Sequence, residues 1–146
     1  MKALLQRVQR ASVSVDGVVI GEIDTGLLVL VCAEHDDTES TVRRMVDKIV
    51  RLRIFSDEQG KMNRSVVDAQ GSMLIVSQFT LAADTTKGNR PSYTDAANPE
   101  LAKRLYECFI DYAKTHVTSV ASGQFAADMQ VSLVNDGPVT IPLSMV

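Results

Sequence analysis

The stretch that decides the fold runs from residue 11 to residue 33 and reads ASVSVDGVVIGEIDTGLLVLVCA. Two runs rich in β-branched residues flank Asp16-Gly17, and an Asp-Gly pair in that setting predicts a tight hairpin. A second turn at Asp24–Gly26 leads into Leu27–Ala33, a short run that is apolar at every position. Because a strand covered on both faces has no need of polar positions, this run predicts a central buried strand.

Two helices are predicted downstream of this strand. The first has Asp36 as its N-cap and Glu39 three residues later, which is a capping-box arrangement. The second has Asn98 as its N-cap, followed by Pro99 at the first helical position. Apolar side chains recur at helical spacing in both segments, at Val42, Met45, Val46, Ile49 and Val50 and at Leu101, Leu105, Cys108, Phe109 and Tyr112. Each stripe predicts a helix face that packs on a core.

The rest of the chain has the pattern of strands and one long loop. Met73–Leu81 predicts a second central strand, and a polar loop spans about residues 83 to 97. Further strands are predicted at Val117–Ser122, Met129–Asn135 and Val139–Leu143. This order of elements predicts a single α+β domain over residues 1–146. Two main helices would pack on a sheet that is mostly antiparallel or mixed, or barrel-like.

Composition narrows the classes of protein that this chain can represent. Its 146 residues are 45% hydrophobic and 23% charged, an ordinary balance for a globular domain. No apolar run is long enough to span a membrane, and the N-terminal MKALLQR lacks the apolar core of a signal peptide. The two cysteines lie far apart, so no disulfide framework is expected. We therefore expect a cytoplasmic protein with no membrane partner.

The motifs of the common enzyme classes are absent. His35 and His116 are the only histidines and have no third ligand at metal spacing, so we expect no metal and no cofactor. Neither a phosphate-binding glycine loop nor a GxSxG elbow occurs. Cys32 lies in an apolar strand and Cys108 on an apolar helix stripe, which indicates core thiols rather than nucleophiles. His35 fits a solvated turn.

Basic residues are concentrated in one part of the chain. The net charge of −3 excludes a globally basic nucleic-acid binder but permits a local basic patch. The cations of this basic stretch are Arg43, Arg44, Lys48, Arg51, Arg53, Lys61 and Arg64. One interpretation is a surface for an RNA phosphate backbone. The alternative is a solvated helix face with pairs such as Asp47 with Arg51.

Two segments carry polar groups where a ligand would have room. At the end of the second central strand, alternation places Gln78 and Thr80 on the same face. That arrangement predicts either a pocket or a strand that emerges into solvent. Asn135–Thr140 is a turn by composition, and its Gly137-Pro138 pair also permits a backbone to approach a ligand closely. The base rate for X-Pro bonds favours a trans peptide at this pair.

Several segments resemble the motifs of D-aminoacyl-tRNA deacylases. The two main ones are Ser77–Leu81 (SQFTL) and Asn135–Thr140 (NDGPVT). Gly88–Tyr93 (GNRPSY) is a third, with tyrosine at a position where phenylalanine is common. Val31–Ala33 and Ile141–Leu143 depart from the family pattern without touching the two main motifs. Further matching segments lie on either side, so the resemblance extends over the full length of the chain.

This resemblance implies an activity and the roles of particular residues. It implies a homodimer that hydrolyses the ester between a D-amino acid and the 3′-terminal adenosine of tRNA. Its partner would be aminoacylated tRNA and not DNA, and no cofactor is implied. The pocket motif is matched by Ser77, Gln78, Phe79 and Thr80. Gln78 and Thr80 are the candidates for the chemistry, although a threonine without a base is a weak nucleophile, so we favour a positioning role for Thr80.

The resemblance also implies how substrates are selected. Gly137-Pro138 matches a cis pair that reaches into the pocket of the other subunit, where its carbonyl oxygens occupy the space of an L side chain. Selection by exclusion alone predicts that glycyl-tRNA is hydrolysed together with D-aminoacyl-tRNA. For the tRNA backbone we expect contacts from Arg43, Arg44, Lys48 and Arg51.

Three other functions are compatible with the sequence. The chain could bind tRNA without turnover, as the basic stretch alone would support. It could be an editing enzyme of the same fold that removes a mischarged L-amino acid, although Phe79 and Gly137-Pro138 favour the D-specific branch. It could also be a serine hydrolase that uses Ser77 and a histidine.

Overall fold

The first strand organises the sheet. In the computed structural model, which describes residues 1 to 146, the chain begins with β1 (Lys2–Val15), β2 (Val18–Ile23) and β3 (Gly26–Cys32). Asp16 (φ 51°) and Gly17 (φ 79°) close the predicted hairpin between β1 and β2. The remaining elements are α1 (Glu39–Arg51), β4 (Phe55–Ser56), β5 (Met62–Arg64), β6 (Ser72–Ser77), α2 (Pro99–Ala113), β7 (Val120–Ser122) and β8 (Gln130–Ser144).

The sheet is mixed and curls back on itself. Its strand order is β2-β1-β3-β6-β7. β8 lies off this path and also pairs with β1. β1 is antiparallel to its three neighbours, whereas β3, β6 and β7 are parallel to one another. β2 approaches β7 so closely that a Cβ at Gly21 would lie 2.8 Å from the carbonyl oxygen of Ser122. The expected α+β class, with a mixed and barrel-like sheet, is therefore confirmed.

Apolar side chains cover both faces of the central strands. A cluster of 21 buried residues lies between the sheet and the two helices, and a cluster of 7 lies inside the curled sheet. Alternation along β3 explains this division, because Leu27 and Val29 belong to the first cluster and Leu28 belongs to the second. The prediction of central buried strands from continuous apolar runs is thus confirmed.

The N-cap predicted for the first helix is wrong. Thr38 caps α1, and its hydroxyl oxygen accepts a hydrogen bond from the backbone N–H of Thr41. Asp36 is exposed and contacts His35 instead. The intervening Asp37 is buried and accepts a hydrogen bond from the amino-terminal ammonium at 2.9 Å. This ion pair holds the loop that follows β3, so that the helix begins two residues later than predicted.

The two helices bury the predicted stripes. Val42, Val46 and Ile49 of α1 are fully buried, and so are Leu105 and Phe109 of α2. Asn98 caps α2 as predicted, with its side chain accepting from the backbone N–H of Leu101 at 3.0 Å. Neither helix combines the length and the apolar character that crossing a membrane would require.

Three strand predictions in the second half of the chain are wrong in their bounds, and one of them is β7, which begins at Val120 and not at Val117. β6 ends at Ser77, and Phe79–Ala82 forms a 3₁₀ turn instead of continuing the strand. β8 is one long strand, where two strands separated by a turn were predicted. It pairs with both halves of β1, with register irregularities between Gln6 and Arg10. Residues 135–140 are therefore part of one continuous strand, with the extra residues accommodated by a register irregularity opposite Arg7.

Candidate active site

A cavity of about 630 Å³ opens where the parallel strands β3 and β6 end. Ser77 and Gln78 line it from the end of β6, and the first turns of α2 and residues 125–131 close its other sides. The sequence left open whether this strand end forms a pocket or only a polar rim; the structure has a pocket here, which Gln78 lines and the exposed Thr80 does not. Its volume lies in the range of small-molecule sites.

The wall of this cavity is predominantly apolar. Hydrophobic residues make up 17 of the 21 that line it, and several are small, among them Ala97, Ala102 and Ala127. Asp128 brings the only charged side chain. Such a wall can accept the faces of an aromatic or heterocyclic group, but it offers few polar groups with which to read a ligand's substituents.

Phe79 stands at the mouth of the cavity with an exposed ring. Its residue surface is 57% exposed, which is unusual for a large apolar side chain. The ring lies 5.1 Å from that of Tyr93 in an edge-to-face arrangement, so the long polar loop contributes to the same mouth. An exposed aromatic ring beside an apolar cavity is suited to stacking on a planar ligand.

The side chains of Gln78 and Thr80 are in contact, but strand alternation, which predicted this, is not the cause. Strand alternation cannot apply beyond Ser77, where the backbone enters the 3₁₀ turn. The turn nevertheless brings the two side chains together, and the Gln78 amide Nε2 donates a hydrogen bond to the Thr80 hydroxyl. No histidine, lysine or carboxylate hydrogen-bonds to Thr80. The pair therefore supplies hydrogen-bonding groups without a general base.

The Gly137-Pro138 peptide is cis, in contrast to the base-rate expectation. Gly137 has a φ of 131°, a region that L side chains rarely adopt. A Cβ there would lie 2.9 Å from Val139 Cγ2 and 3.0 Å from Arg7 Nη2. Glycine is thus required at this position by both conformation and space.

The same pair lies away from the chain's own cavity, and neither residue lines it. Gly137-Pro138 of β8 lies beside Arg7 of β1, and Arg7 pairs with Leu27 of β3. Ser77 of β6 pairs with Val31, which is four residues further along β3. Four residues along the strands correspond to about 13 Å, and the three strand spacings from β8 to β6 add about 14 Å across the sheet. The motifs SQFTL and NDGPVT are therefore not brought together within one chain.

Arg7 is a functional candidate that the sequence reasoning missed. Its Nε donates to the carbonyl oxygen of Asp136 at 3.0 Å, and its Nη1 donates to that of Ile54 at 2.8 Å. The side chain is only 13% exposed and also lies 3.7 Å from the Asp136 carboxylate. The guanidinium thus positions the residue that precedes Gly137-Pro138. An arginine next to the buried Val8 within a strand was the available signal.

The cations of the basic stretch are mostly unpaired. The predicted Asp47–Arg51 pair does not form, because Asp47 accepts a hydrogen bond from the Tyr112 hydroxyl at 2.9 Å and lies 3.4 Å from His116 Nε2. Arg43 lies over the Tyr112 ring, and Arg44 donates to the carbonyl oxygen of Val146. Lys48 and Arg51 have no ion pair or side-chain hydrogen bond and are exposed.

The serine-hydrolase alternative finds no support in the geometry. His35 is exposed and pairs with Asp36, and the Asp36 carboxylate raises the pKa of the His35 imidazole. His116 packs against Asp47 and the end of α2. Neither histidine is hydrogen-bonded to Ser77. No group of three or more histidine, cysteine, aspartate or glutamate side chains is placed to hold a metal ion.

Cys32 is expected to be inert in the native protein. Burial raises the pKa of its thiol to about 11, so at pH 8 only about one molecule in a thousand carries the thiolate. Alkylation of Cys32 by iodoacetamide at pH 8 should be at least about a hundredfold slower than in the urea-unfolded chain, where the thiol pKa is about 8.5. Peptide mapping separates Cys32 from Cys108. Equal native and unfolded rates would contradict the prediction.

Comparisons with known proteins indicate the same family that the sequence motifs resemble. A family model described as D-Tyr-tRNA(Tyr) deacylase matches residues 4–144. The chain is 60% identical over 143 residues to the D-aminoacyl-tRNA deacylase of Paracidovorax citrulli (strain AAC00-1), covering 98% of this chain and 92% of that protein. It is 58% identical over 145 residues to that of Variovorax paradoxus (strain S110), covering 99% of each.

Two solved structures share the fold. One is described as a "c-Myc DNA Unwinding Element Binding Protein" and has a TM-score of 0.93 at 45% identity, covering 99% of this chain and 98% of that one. The other is described as a "probable eukaryotic D-amino acid tRNA deacylase" and has a TM-score of 0.86, covering 97% of each chain. At 16% identity, the second similarity concerns the fold alone.

Proposed function

The chain belongs to the D-Tyr-tRNA(Tyr) deacylase family, and from that membership we propose that it hydrolyses the ester between a D-amino acid and the 3′-terminal adenosine of tRNA. The observation that carries the proposal is the apolar cavity at the end of β6, where Ser77, Gln78 and Phe79 of the family motif line one opening. Because the proposed substrate is tRNA and both cysteines are free thiols, we place the protein in the cytoplasm.

The cavity accounts for binding of the 3′-terminal nucleoside. The exposed Phe79 ring offers a face on which adenine can stack, and base–aromatic stacking is worth about 1–3 kcal/mol. The apolar wall receives the nucleoside, while Gln78 lines the cavity and donates a hydrogen bond to the exposed Thr80, which does not line it. This placement directs the ester of the bound aminoacyl group toward the Gln78–Thr80 pair.

The chemistry requires little more than positioning. An aminoacyl ester is an activated acyl group, so orientation and a hydrogen-bond donor for the developing oxyanion can supply most of the acceleration. The Gln78 amide and the Thr80 hydroxyl are such donors, and neither is placed next to a base that would make Thr80 a nucleophile. The 2′-OH of the terminal ribose is available to orient the attacking water.

Chiral selection in this proposal requires a second copy of the chain. Gly137-Pro138 does not reach the cavity of its own subunit, so a dimer is needed to place its carbonyl oxygens beside the substrate's Cα. There they would occupy the direction of an L side chain and leave the D direction open. We therefore propose a homodimer in which each cavity is completed by the other subunit.

The assay that tests the proposed function compares D-Tyr-tRNA and L-Tyr-tRNA with the same enzyme preparation. Rapid release of D-tyrosine with no release of L-tyrosine is the expected result. Release of the L-amino acid would favour the editing alternative. Binding of both substrates without any turnover would favour the tRNA-binding module. The solved relative described as a DNA-binding protein makes DNA a useful competitor, and we expect it to inhibit less than tRNA.

The dimer has a separate test. Light scattering after size exclusion should give twice the chain mass of 15.9 kDa. A monomer that is fully active at the assay concentration would exclude the proposed completion of the site between subunits.

Thr80→Ala should slow turnover without abolishing it. The hydroxyl accepts from the Gln78 amide, so its loss disturbs positioning, and we expect a decrease of about tenfold to a hundredfold. Single-turnover rates measure the chemical step, and Thr80→Ser is the matched control that keeps the hydroxyl. A decrease beyond about 10⁴-fold with Thr80→Ala would instead identify Thr80 as the nucleophile.

A further inference from the structure

The basic stretch ends beside Gly137-Pro138, far from the cavity of its own subunit. The Arg7 guanidinium links the two segments, because it donates hydrogen bonds to the carbonyl oxygens of both Asp136 and Ile54. Arg53 precedes Ile54 directly, and its side chain is exposed. The 13 residues of α1 span about 20 Å, starting at the cavity end of the sheet, so that Arg51 lies at the opposite end.

The cations at this end are free to bind an anion. Arg51, Arg53 and Lys61 are exposed and have no partner carboxylate within ion-pair distance. The nearby Asp57 carboxylate is engaged by its own turn, where it accepts from the backbone N–H groups of Gln59 and Lys61. In a chain of net charge −3, this end therefore presents three unpaired cations, with the exposed Glu58 and the turn-bound Asp57 as the acidic side chains between Arg53 and Lys61.

We propose that Arg51, Arg53 and Lys61 of one subunit bind the phosphate backbone of the tRNA whose 3′ end occupies the cavity of the other subunit. This inference rests on the proposed function, in which Gly137-Pro138 enters the other subunit's cavity. Arg7 ties residue 54 to that segment, so the neighbouring cations move with it to the mouth of the same cavity. There the acceptor strand leaves the site, and its phosphates pass the cations.

The proposal changes the expected roles within the basic stretch. Arg43 and Arg44, nearer the start of α1, already have partners in their own chain: Arg43 lies over the Tyr112 ring, and Arg44 donates a hydrogen bond to Val146. We therefore assign the tRNA contact to the end of the stretch and to the opposite subunit. Each tRNA would then touch both subunits, one through the nucleoside cavity and the other through its cations.

The first measurement compares charge reversals in homodimers. Arg51→Glu with Arg53→Glu should raise KM about tenfold or more, leave kcat within about twofold and reduce the salt dependence of kcat/KM. Arg104→Glu with Lys114→Glu makes the same change of charge at two exposed positions, one in α2 and one directly after it, and should leave KM unchanged. An equal rise in KM for both pairs would reduce the effect to net charge and overturn the proposal.

Mixed dimers decide which subunit supplies the cations. One subunit carries Gln78→Ala and Phe79→Ala, so its cavity is inactive but its cations are intact. The other carries Arg51→Glu and Arg53→Glu, so its cavity is intact. Two affinity tags isolate the mixed dimer. The proposal predicts a KM equal to that of the wild type and half its kcat per dimer. A KM as high as that of the charge-reversed homodimer would place the cations in the same subunit as the cavity they serve and overturn the proposal.

The reciprocal dimer gives the opposite expectation. When all four substitutions are on one subunit and the other is wild type, the intact cavity faces reversed charges and KM should rise. A wild-type KM here would also overturn the inference. Failure of the proposed function is distinguishable, because the wild-type homodimer would then release no D-amino acid. A wild-type protein that remains monomeric would exclude the inference as well.

Discussion

Glycyl-tRNA and D-alanyl-tRNA should both be hydrolysed, and L-alanyl-tRNA should be slower by about a thousandfold or more. A steric conflict worth about 4 kcal/mol in the transition state is sufficient for that factor. The cavity is lined mainly by apolar residues, with a single charged side chain, so it has few groups with which to select a D side chain. Exclusion by the Gly137-Pro138 carbonyls cannot reject glycine, which has no Cβ.

The measurement is a deacylation series on glycyl-, L-alanyl- and D-alanyl-tRNA with one enzyme stock. The L substrate should still be refused when Gln78 or Thr80 is replaced, because the proposed exclusion comes from Gly137-Pro138 and not from either of these residues. Strong hydrolysis of D-alanyl-tRNA together with complete inertness toward glycyl-tRNA would mean that the D side chain is positively recognised. In that case selection by exclusion would be wrong.

Arg7→Ala should reduce kcat/KM for D-aminoacyl-tRNA by about a hundredfold and weaken discrimination against the L substrate. The guanidinium donates to the carbonyl oxygens of Asp136 and Ile54 and is largely buried, so its removal frees the segment that carries Gly137-Pro138. A displacement of about 1 Å in a positioning group is enough for a loss of this size. Arg7→Lys should recover only part of the activity, since one ammonium cannot reproduce the fork of donors.

The ratio of D to L rates separates positioning from general destabilisation. Loss of fold would lower both rates together, whereas a displaced Gly137-Pro138 segment should raise the L rate relative to the D rate. Arg10→Ala is the matched control, since Arg10 is an exposed arginine on the same strand with no ion pair. A thermal unfolding curve for each variant accompanies the kinetics. Unchanged D-to-L discrimination in Arg7→Ala would exclude the positioning role.

The sequence by itself determined the elements whose signals are local. The hairpin at Asp16-Gly17, the central strands and the buried stripes of both helices follow from a turn-specific dipeptide and from periods of 2 and 3.6 residues. The family also followed from sequence, because SQFTL and NDGPVT are contiguous motifs. Such features depend on neighbours within a few residues, and these neighbours can be read along the chain.

Tertiary contacts decided the features that the sequence misassigned. Asp36 has the composition of a cap, but the α1 cap is Thr38, because the adjacent Asp37 binds the buried ammonium of Met1 from 36 residues away. Asp47 has the spacing for a pair with Arg51, yet Tyr112 from α2 takes its carboxylate. In each case a stronger or better-placed partner, distant along the chain, replaced the local one.

The arrangement of the site was also decided by tertiary structure. Sequence identified Gln78 and Gly137-Pro138 but gave no means of placing them at opposite ends of one sheet, since that follows from strand register. It also did not reveal Arg7, whose partner Asp136 is 129 residues away. Long-range hydrogen bonds and strand register form only when the chain folds. The motifs therefore identified the residues of the site, whereas the tertiary structure decided where those residues lie relative to one another.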